Sequence, residues 1–279
     1  MYEACEAYRK EGKRIGFVPT MGALHDGHLA LVDSARTEGE VVAVSIFVNP
    51  KQFGPNEDLD KYPRTLEADR EKLAGKADLV FAPSPRQMYP DGHVTEVKVP
   101  TGVTEGLCGE RRPGHFDGMA LVVTKLFNIV GPSVAVFGRK DYQQLQVIKR
   151  FTADLNLPVE IAEVPTIRET DGLAMSSRNR YLADDDRQRA LAIVAGLRDA
   201  HRRFPGPPLN VGEILTPVKN RITAVADRVD YITAAHPDTL VPYDDNAPVP
   251  EKLFIAVAAF FGATRLIDNT VLGEDTLPV

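Results

Sequence analysis

The chain has 279 residues, with 33 lysines and arginines against 39 aspartates and glutamates, so its formal net charge is −6. A hydrophobic fraction of 43% and a charged fraction of 26% exclude a disordered chain, a collagen and a coiled coil. The acidic balance argues against a nucleic-acid partner, whose binding needs an excess of basic side chains. The length suits one large domain or two modest ones.

The chain up to Pro165 predicts an α/β fold with a doubly wound parallel sheet, a Rossmann-like arrangement. Apolar, β-branched runs alternate with helix-like segments, as in parallel strands that helices cover on both faces. The predicted strands are 15–19, 41–48, 78–82 and 133–137, and the predicted helices are 27–36, 65–73, 119–129 and 141–155. Such sheets bind ligands at the carboxyl ends of their strands, so site residues are expected there.

The pattern changes after Pro165 and predicts a smaller α+β domain at the C-terminal end. We expect domains at 1–166 and 167–279. Helices are predicted at 184–203 and 211–226, with the proline-rich breaker 204–208 between them. Two strands are predicted at 229–233 and 252–260.

The cysteines and the apolar runs indicate a cytoplasmic protein with no membrane partner. Cys5 and Cys108 form no C-x-x-C pair, which predicts two thiols rather than a zinc site or a disulfide framework. The N-terminal segment lacks the apolar centre of a signal peptide. The longest apolar run, 253–261, is about half of a membrane span.

The most informative segment is the turn after the first predicted strand, where Gly22 precedes a helix that begins near His25 or Asp26. His25 and His28 are three residues apart, so both lie on one face of the first helical turn. That turn carries unpaired N–H groups and the positive end of the helix dipole, which together favour phosphate oxygens. Surface histidines at a helix start, or a metal site with two visible ligands, are the alternatives.

A second segment follows the predicted strand 133–137 in the same way. Gly138 permits close backbone approach, and Lys140 can place a point charge on a phosphate. Asp141 suits either a helix N-cap or a ribose hydroxyl, and Gln144 lies one turn further on the same face. The alternative is an ordinary capped helix with solvated charges.

Three further segments carry hydrogen-bonding side chains. Ser176, Ser177 and Arg178 follow the domain junction and offer several donors to a phosphate chain, although a polar linker has the same composition. Asn49 and Gln52 follow a strand and suit the orientation of a small polar substrate. The third is the basic loop 110–117, which could face an anion or simply be solvated.

Common nucleotide-binding and hydrolase motifs are missing from the sequence. The chain contains no G-x-x-x-x-G-K-[ST], G-x-G-x-x-G, G-x-S-x-G or H-E-x-x-H motif. ATP would therefore have to bind at the histidine-pair turn.

Taken together, these segments resemble the pantothenate synthetase (pantoate–β-alanine ligase) family of the nucleotidylyltransferase superfamily. The resemblance is nearly end to end and is strongest in PTMGALHDGH (19–28), SIFVNPKQFG (45–54), YPRT (62–65), FGRKDYQQL (137–145) and DGLAMSSRNRYL (171–182). It implies an ATP-dependent condensation of pantoate with β-alanine that passes through pantoyl adenylate and releases AMP and pyrophosphate. Another adenylyltransferase with a different small substrate is the runner-up, and a non-catalytic nucleotide sensor is the alternative from another class.

The resemblance also implies a role for each matched residue. The catalytic set is His25, His28, Lys140, Ser176, Ser177 and Arg178. The expected ATP contacts add Met21, Gly138, Asp141, Ile167 and Met175. The expected pantoate contacts are Pro19, Met21, Gln52, Gln144, Tyr62 and Arg112, with Asn49 beside them.

Magnesium and a homodimer are further implications of the resemblance. Mg²⁺ is expected with the ATP phosphates, and Asp69 is the candidate partner in its second coordination shell. The chain departs from the family pattern at Ala68, where a further acidic residue is common, and at Arg139, where an acidic residue is expected. The dimer is expected to form through the N-terminal domain, and no nucleic-acid partner is expected.

Overall fold

The computed structural model describes residues 1–55, 57–99, 102–204, 206 and 210–277. The chain divides into two compact units, Met1–Arg139 with Gln144–Val164, and Lys140–Gln143 with Pro165–Val279. The boundary between the two units after Val164 lies two residues before the predicted domain boundary. The short segment 140–143 also belongs to the second unit. Of the predicted breaker 204–208, residues 205, 207 and 208 lie outside the described residues.

The first unit contains a parallel sheet whose strand order is β3-β2-β1-β4-β5. The predicted doubly wound α/β fold is therefore confirmed. The strands are β1 (Ile15–Thr20), β2 (Val41–Ile46), β3 (Leu79–Phe81), β4 (Val134–Gly138) and β5 (Glu160–Val164). The strand β5 was not predicted, because its Glu-Ile-Ala-Glu-Val sequence is half-exposed and lacks the apolar run of an inner strand.

Within the part of the chain that the structure describes, seven α-helices of the first unit surround this sheet. They are α1 (Tyr2–Lys10), α2 (Asp26–Glu38), α3 (Leu66–Leu73), α4 (Pro85–Met88), α5 (Leu107–Arg111), α6 (His115–Val130) and α7 (Tyr142–Asp154). The chain leaves β1 toward β2 on one side, and β4 pairs with β1 on the other side. This reversal of strand order makes the carboxyl ends of β1 and β4 the expected ligand crevice of the sheet.

The second unit is a small α+β arrangement. It contains α8 (Asp184–Arg203), α9 (Val211–Thr223) and an antiparallel sheet of β6 (Arg228–Ala235), β7 (Leu253–Phe261) and β8 (Thr264–Leu272). One face of each helix and the central strand β7 form a shared apolar core. The strand β8 was not predicted, because Asp268, Asn269 and Thr270 interrupt its apolar residues, yet all three side chains are buried.

Among the described residues, no helix combines the length and the apolar character that crossing a membrane requires. Cys5 and Cys108 are both described and remain thiols.

A close backbone contact fixes the loop after β2 against α6. A Cβ atom on Gly118 would lie 2.0 Å from the carbonyl oxygen of Lys51 and 2.7 Å from the amide nitrogen of Gln52. No side chain larger than hydrogen fits there unless the backbone moves. Gly118 therefore sets how near the Asn49–Gln52 turn lies to α6.

We predict that Gly118→Ala lowers the free energy of unfolding by at least about 1 kcal/mol, because overpacking outweighs the better helix propensity of alanine. Urea denaturation measures this change. Gly54→Ala is the matched control, since its nearest neighbouring atom would lie at 3.5 Å, an ordinary contact. Equal stability of the two variants would contradict the account.

Candidate active site

Two side chains of α3 form hydrogen bonds to the backbone of the turn between β1 and α2. Gly22 and Ala23 both have positive φ, +82° and +51°. The carboxylate of Asp69 accepts hydrogen bonds from the backbone N–H groups of Ala23 at 3.0 Å and Leu24 at 2.8 Å. One turn further along α3, the ammonium of Lys72 donates to the carbonyl of Leu24 at 2.5 Å. The conformation of this turn is thus set by two side chains of a neighbouring helix.

The histidine pair lies where this turn enters α2. His25 is the N-cap residue, and the two imidazole centroids are 4.1 Å apart. Nδ1 of His28 accepts a hydrogen bond from the backbone N–H of His25 at 3.3 Å. An accepting ring nitrogen carries no proton, so the neutral His28 ring carries its proton on Nε2 and donates from there. The arrangement offers an imidazole donor at the positive end of a helix dipole, which suits an anion.

The end of β4 lies against the same helix. A Cβ atom on Gly138 would lie 3.9 Å from Cδ2 of Leu31, which is one helical turn after His28. The structure thus places two of the predicted segments side by side in the first unit. Arg139, the departure from the family pattern, forms an ion pair with Glu163 at 3.2 Å, and Lys149 also pairs with this carboxylate. Arg139 is therefore paired within the first unit, although it shares the carboxylate of Glu163 with Lys149.

A buried chain of hydrogen bonds fixes the amide of Asn49, which is 1% exposed. Its Oδ1 accepts from the hydroxyl of Tyr89 at 2.7 Å and from the backbone N–H of Lys51 at 3.2 Å. Its Nδ2 donates to the carbonyl of Gly118 and to Oε1 of Gln52, both at 3.0 Å. Burial raises the pKa of Tyr89, so its hydroxyl keeps its proton and acts as the donor.

These hydrogen bonds determine which end of the Gln52 amide faces the crevice at the carboxyl ends of the strands. Because Oε1 accepts from Asn49, the NH₂ group points away and reaches Sδ of Met21 at 3.2 Å. A thioether is a weak acceptor, so this NH₂ group can donate to a stronger one. Gln52 is therefore arranged to recognise an oxygen acceptor, such as a hydroxyl or a carboxylate. Tyr89 was missed in the sequence, although the S-x-x-Q capping box at 84–87 signals the short helix α4 that leads to it.

The other predicted pantoate residues lie in the first unit in varied settings. Arg112 forms a two-pronged ion pair with Glu57, with Nε to Oε1 at 2.9 Å. Although burial opposes ionisation, the hydrogen bonds and charge of Arg112 hold the pKa of Glu57 below its ordinary value. Tyr62 is buried with its ring 5.9 Å from that of Phe53. The other two predicted residues, Pro19 in β1 and Gln144 in α7, are half-buried.

In the second unit, Lys140 is half-buried. Burial lowers the pKa of its ammonium, the charge of Arg178 lowers it further, and the carboxylates of Asp141 and Asp268 oppose these effects. Its backbone carbonyl accepts a hydrogen bond from Nδ2 of Asn269 at 2.7 Å. Asn269 lies in β8, a strand that was not predicted, and no local sequence signal connects it with Lys140.

The two residues expected near adenine are neighbours in a short hairpin. The backbone N–H of Met175 donates to the carbonyl of Ile167 at 2.9 Å, and Arg168 and Ala174 form an antiparallel bridge. The hairpin reverses at Gly172, whose φ is +95°.

The segment after this hairpin is a short 3₁₀ helix, Ser177–Tyr181, with Ser176 as its N-cap. The hydroxyl oxygen of Ser176 accepts from the backbone N–H of Arg178 at 3.2 Å. Nδ2 of Asn179 donates to the carbonyl of Ala174 at 3.0 Å and thereby ties this helix to the hairpin. The three predicted donors Ser176, Ser177 and Arg178 thus begin one capped structure.

The family model described as pantoate-beta-alanine ligase matches residues 1–271. The chain belongs to this family. It is 51% identical over 266 residues to the pantothenate synthetase of Thermoanaerobacter sp. (strain X514), in an alignment that covers 95% of this chain and 93% of the relative. The predicted family resemblance is confirmed, and the chain is an enzyme of this kind.

Solved structures of the family share the fold. The pantothenate synthetase from Thermus thermophilus has a TM-score of 0.87 at 47% identity, over 92% of each chain. The pantoate-beta-alanine ligase from Francisella tularensis, whose structure is described as complexed with beta-gamma ATP and beta-alanine, has a TM-score of 0.80 at 35% identity. That comparison covers 99% of this chain and 97% of the other.

The surroundings of Asp69 do not fit a ligand of magnesium. Its two oxygens accept from the backbone of the turn, and the hydroxyl of Thr65 also donates to it at 3.2 Å. Within the described ranges, no group of three or more His, Cys, Asp or Glu side chains is placed to hold a metal ion. The predicted role of Asp69 at the metal stays a prediction, and its observed contacts are those of a residue that shapes the turn.

We predict that Asp69→Asn lowers the free energy of unfolding by about 1.5–3 kcal/mol, since a buried charge-assisted acceptor is replaced by an amide that has only one acceptor oxygen. Urea denaturation measures the change, and hydrogen exchange at the amides of Ala23 and Leu24 should accelerate. The control is Asp33→Asn, whose side chain is 61% exposed in a surface ion pair and should cost less than about 0.5 kcal/mol. If both variants unfold alike, Asp69 does not hold the turn.

Proposed function

We propose that this enzyme condenses pantoate with β-alanine at the expense of ATP and forms pantothenate, AMP and pyrophosphate through pantoyl adenylate. The carrying observation is the histidine pair at the start of α2, beside the carboxyl ends of β1 and β4, in a chain of the pantoate–β-alanine ligase family. The Francisella tularensis relative, described with ATP and β-alanine bound, supports the choice of two of the substrates.

In the first step, a carboxylate oxygen of pantoate attacks the α-phosphorus of ATP and pyrophosphate leaves. A carboxylate is already a nucleophile at neutral pH, so no activated serine or cysteine is needed. The enzyme must instead bring two anions together and stabilise the charge that grows on the phosphate oxygens. His25 and His28 are suited to this because donors fixed before the reaction need no rearrangement in the transition state.

Four further residues provide the remaining phosphate contacts in this proposal. Lys140, Ser176, Ser177 and Arg178 hold the β- and γ-phosphates, while Gly138 and Asp141 meet the ribose. Ile167 and Met175 lie on either side of one hairpin and flank the adenine. Their backbone hydrogen bond at 2.9 Å gives the two side chains a fixed spacing.

Pantoate binds beside Met21 and Pro19 in this proposal. The NH₂ end of Gln52 faces Met21 and donates a hydrogen bond to the pantoate hydroxyl or carboxylate. Gln144 orients the substrate from α7, and Tyr62 lines the pocket. Arg112 lies at the pantoate pocket in this proposal, and its ion pair with Glu57 neutralises most of its charge.

In the second step, the amine of β-alanine attacks the acyl carbon of the adenylate, the bond from that carbon to the phosphate oxygen breaks, and AMP leaves. Mg²⁺ is expected to bind mainly to the ATP phosphates and water, as this ion commonly does, and no step here is assigned to it. A homodimer through the first unit and a cytoplasmic location complete the proposal.

An omission assay tests the reaction. With ATP and pantoate alone, we expect at most one pyrophosphate per active site to form rapidly, and steady AMP release only after β-alanine is added. The absence of pantoate-dependent pyrophosphate release would contradict this function and favour an adenylyltransferase with another substrate.

We predict that His25→Ala and Lys140→Ala each slow pyrophosphate release in the first turnover by about 100-fold or more, the scale of a lost preorganised donor. Rapid-quench assays with labelled ATP measure this rate. Lys219→Ala is the control and should release pyrophosphate at the rate of the unmodified enzyme, because Lys219 lies on α9 with its side chain 38% exposed in a surface ion pair. Near-normal release by either site variant would remove that residue from the mechanism.

A further inference from the structure

Two adjacent residues of β8 are buried and polar, although neither belongs to a segment with a predicted role. Asp268 is 3% exposed and Asn269 is 6% exposed. Both lie in the middle of the ladder between β7 and β8, where Asp268 pairs with Val257 and Asn269 pairs with Ala256. Burying polar side chains within a sheet is unfavourable unless they are hydrogen-bonded, so their partners indicate why they are there.

Asp268 holds the hairpin that carries Ile167 and Met175. Its carboxylate forms a two-pronged ion pair with Arg168, at 2.7 and 3.0 Å, and both side chains are almost fully buried. Arg168 also donates to the carbonyl of Gly172 at the reversal of the hairpin, at 3.1 Å. The carboxylate thus fixes the base of this segment, and the guanidinium that it holds fixes the tip.

Asn269 holds the backbone at Lys140. Its Nδ2 donates to the carbonyl of Lys140 at 2.7 Å. Two residues further on, the ring of Tyr142 stacks on Phe254 of β7, with centroids 4.5 Å apart and planes 23° apart. These two contacts explain why residues 140–143 group with the second unit although they are flanked on both sides by residues of the first.

We propose that β8 is a template for the ATP-binding segments, in which Asn269 is a positioning residue for Lys140 and Asp268 is a positioning residue for the 167–175 hairpin. This inference rests on the proposed role of Lys140 in phosphate binding. The strand sets the spacing between the phosphate-binding lysine and the adenine-binding hairpin, because neighbouring residues of one rigid ladder hold both. Asp268 also lies near enough to Lys140 to favour its charged form, which burial disfavours.

A double-mutant cycle between Asn269 and Lys140 tests the inference. We expect Asn269→Ala to slow pyrophosphate release in the first turnover by about tenfold or more, because a small misplacement of a binding group is costly. The KM for pantoate should stay within about twofold. In the Lys140→Ala background, the same Asn269→Ala change should alter the rate by less than about twofold, because Asn269 has no ammonium left to position.

The controls separate positioning from folding. Asn220→Ala, at an exposed site on α9, should leave all rates unchanged. Asn269→Asp keeps the size of the side chain but places an acceptor against the carbonyl of Lys140, so it should match or exceed the loss in Asn269→Ala. This second variant replaces Asn269→Ala in the cycle if the alanine protein fails to fold.

Each outcome decides between the two proposals. A tenfold loss in both backgrounds would show that Asn269 acts on the fold in general and would overturn the inference. A normal rate in Asn269→Ala with an impaired Lys140→Ala would overturn the inference and leave the proposed function intact. A normal rate in Lys140→Ala would overturn the proposed role of that lysine, and the inference would fall with it.

Discussion

The carboxylate of Asp69 holds the turn that positions the histidine pair of the candidate site. Ala23 adopts a positive φ, which costs a non-glycine residue on the order of 1 kcal/mol or more. Two backbone N–H groups that bond to a buried carboxylate more than offset this cost, at about 1.5–3 kcal/mol for a hydrogen bond to a charged group. The turn fixes where α2 begins, and the start of α2 fixes His25 and His28.

Oriented donors give an acidic protein a way to attract anions. The net charge of −6 describes the whole surface, whereas the candidate site offers local donors. The proton on Nε2 of His28, the dipole of α2 and the NH₂ group of Gln52 all favour anionic oxygens without a large excess of basic residues. Charged groups close by are largely paired, as Arg112 is with Glu57 and Arg139 is with Glu163. The field at the site is therefore set by local geometry.

Local patterns were sufficient to predict the framework. The apolar strands β1, β2 and β4, the long helix α8 and the histidine pair at a helix start all have signals within a few residues of sequence. The strands β5 and β8 were missed because their polar residues hide the apolar pattern, and those polar residues matter only through distant partners. Asp69 contacts a turn some 45 residues away, and Asn269 contacts Lys140 across 129 residues. No single-sequence pattern encodes such pairings.

The central claim is that a carboxylate oxygen of pantoate becomes bonded to the α-phosphorus of ATP. Turnover with pantoate labelled with ¹⁸O in its carboxylate, followed by mass spectrometry of the products, tests this bond directly. The account predicts that each AMP carries one ¹⁸O atom, because the bridging oxygen leaves with the phosphate when β-alanine attacks the acyl carbon. Unlabelled AMP, or label in inorganic phosphate or pyrophosphate, would contradict the account.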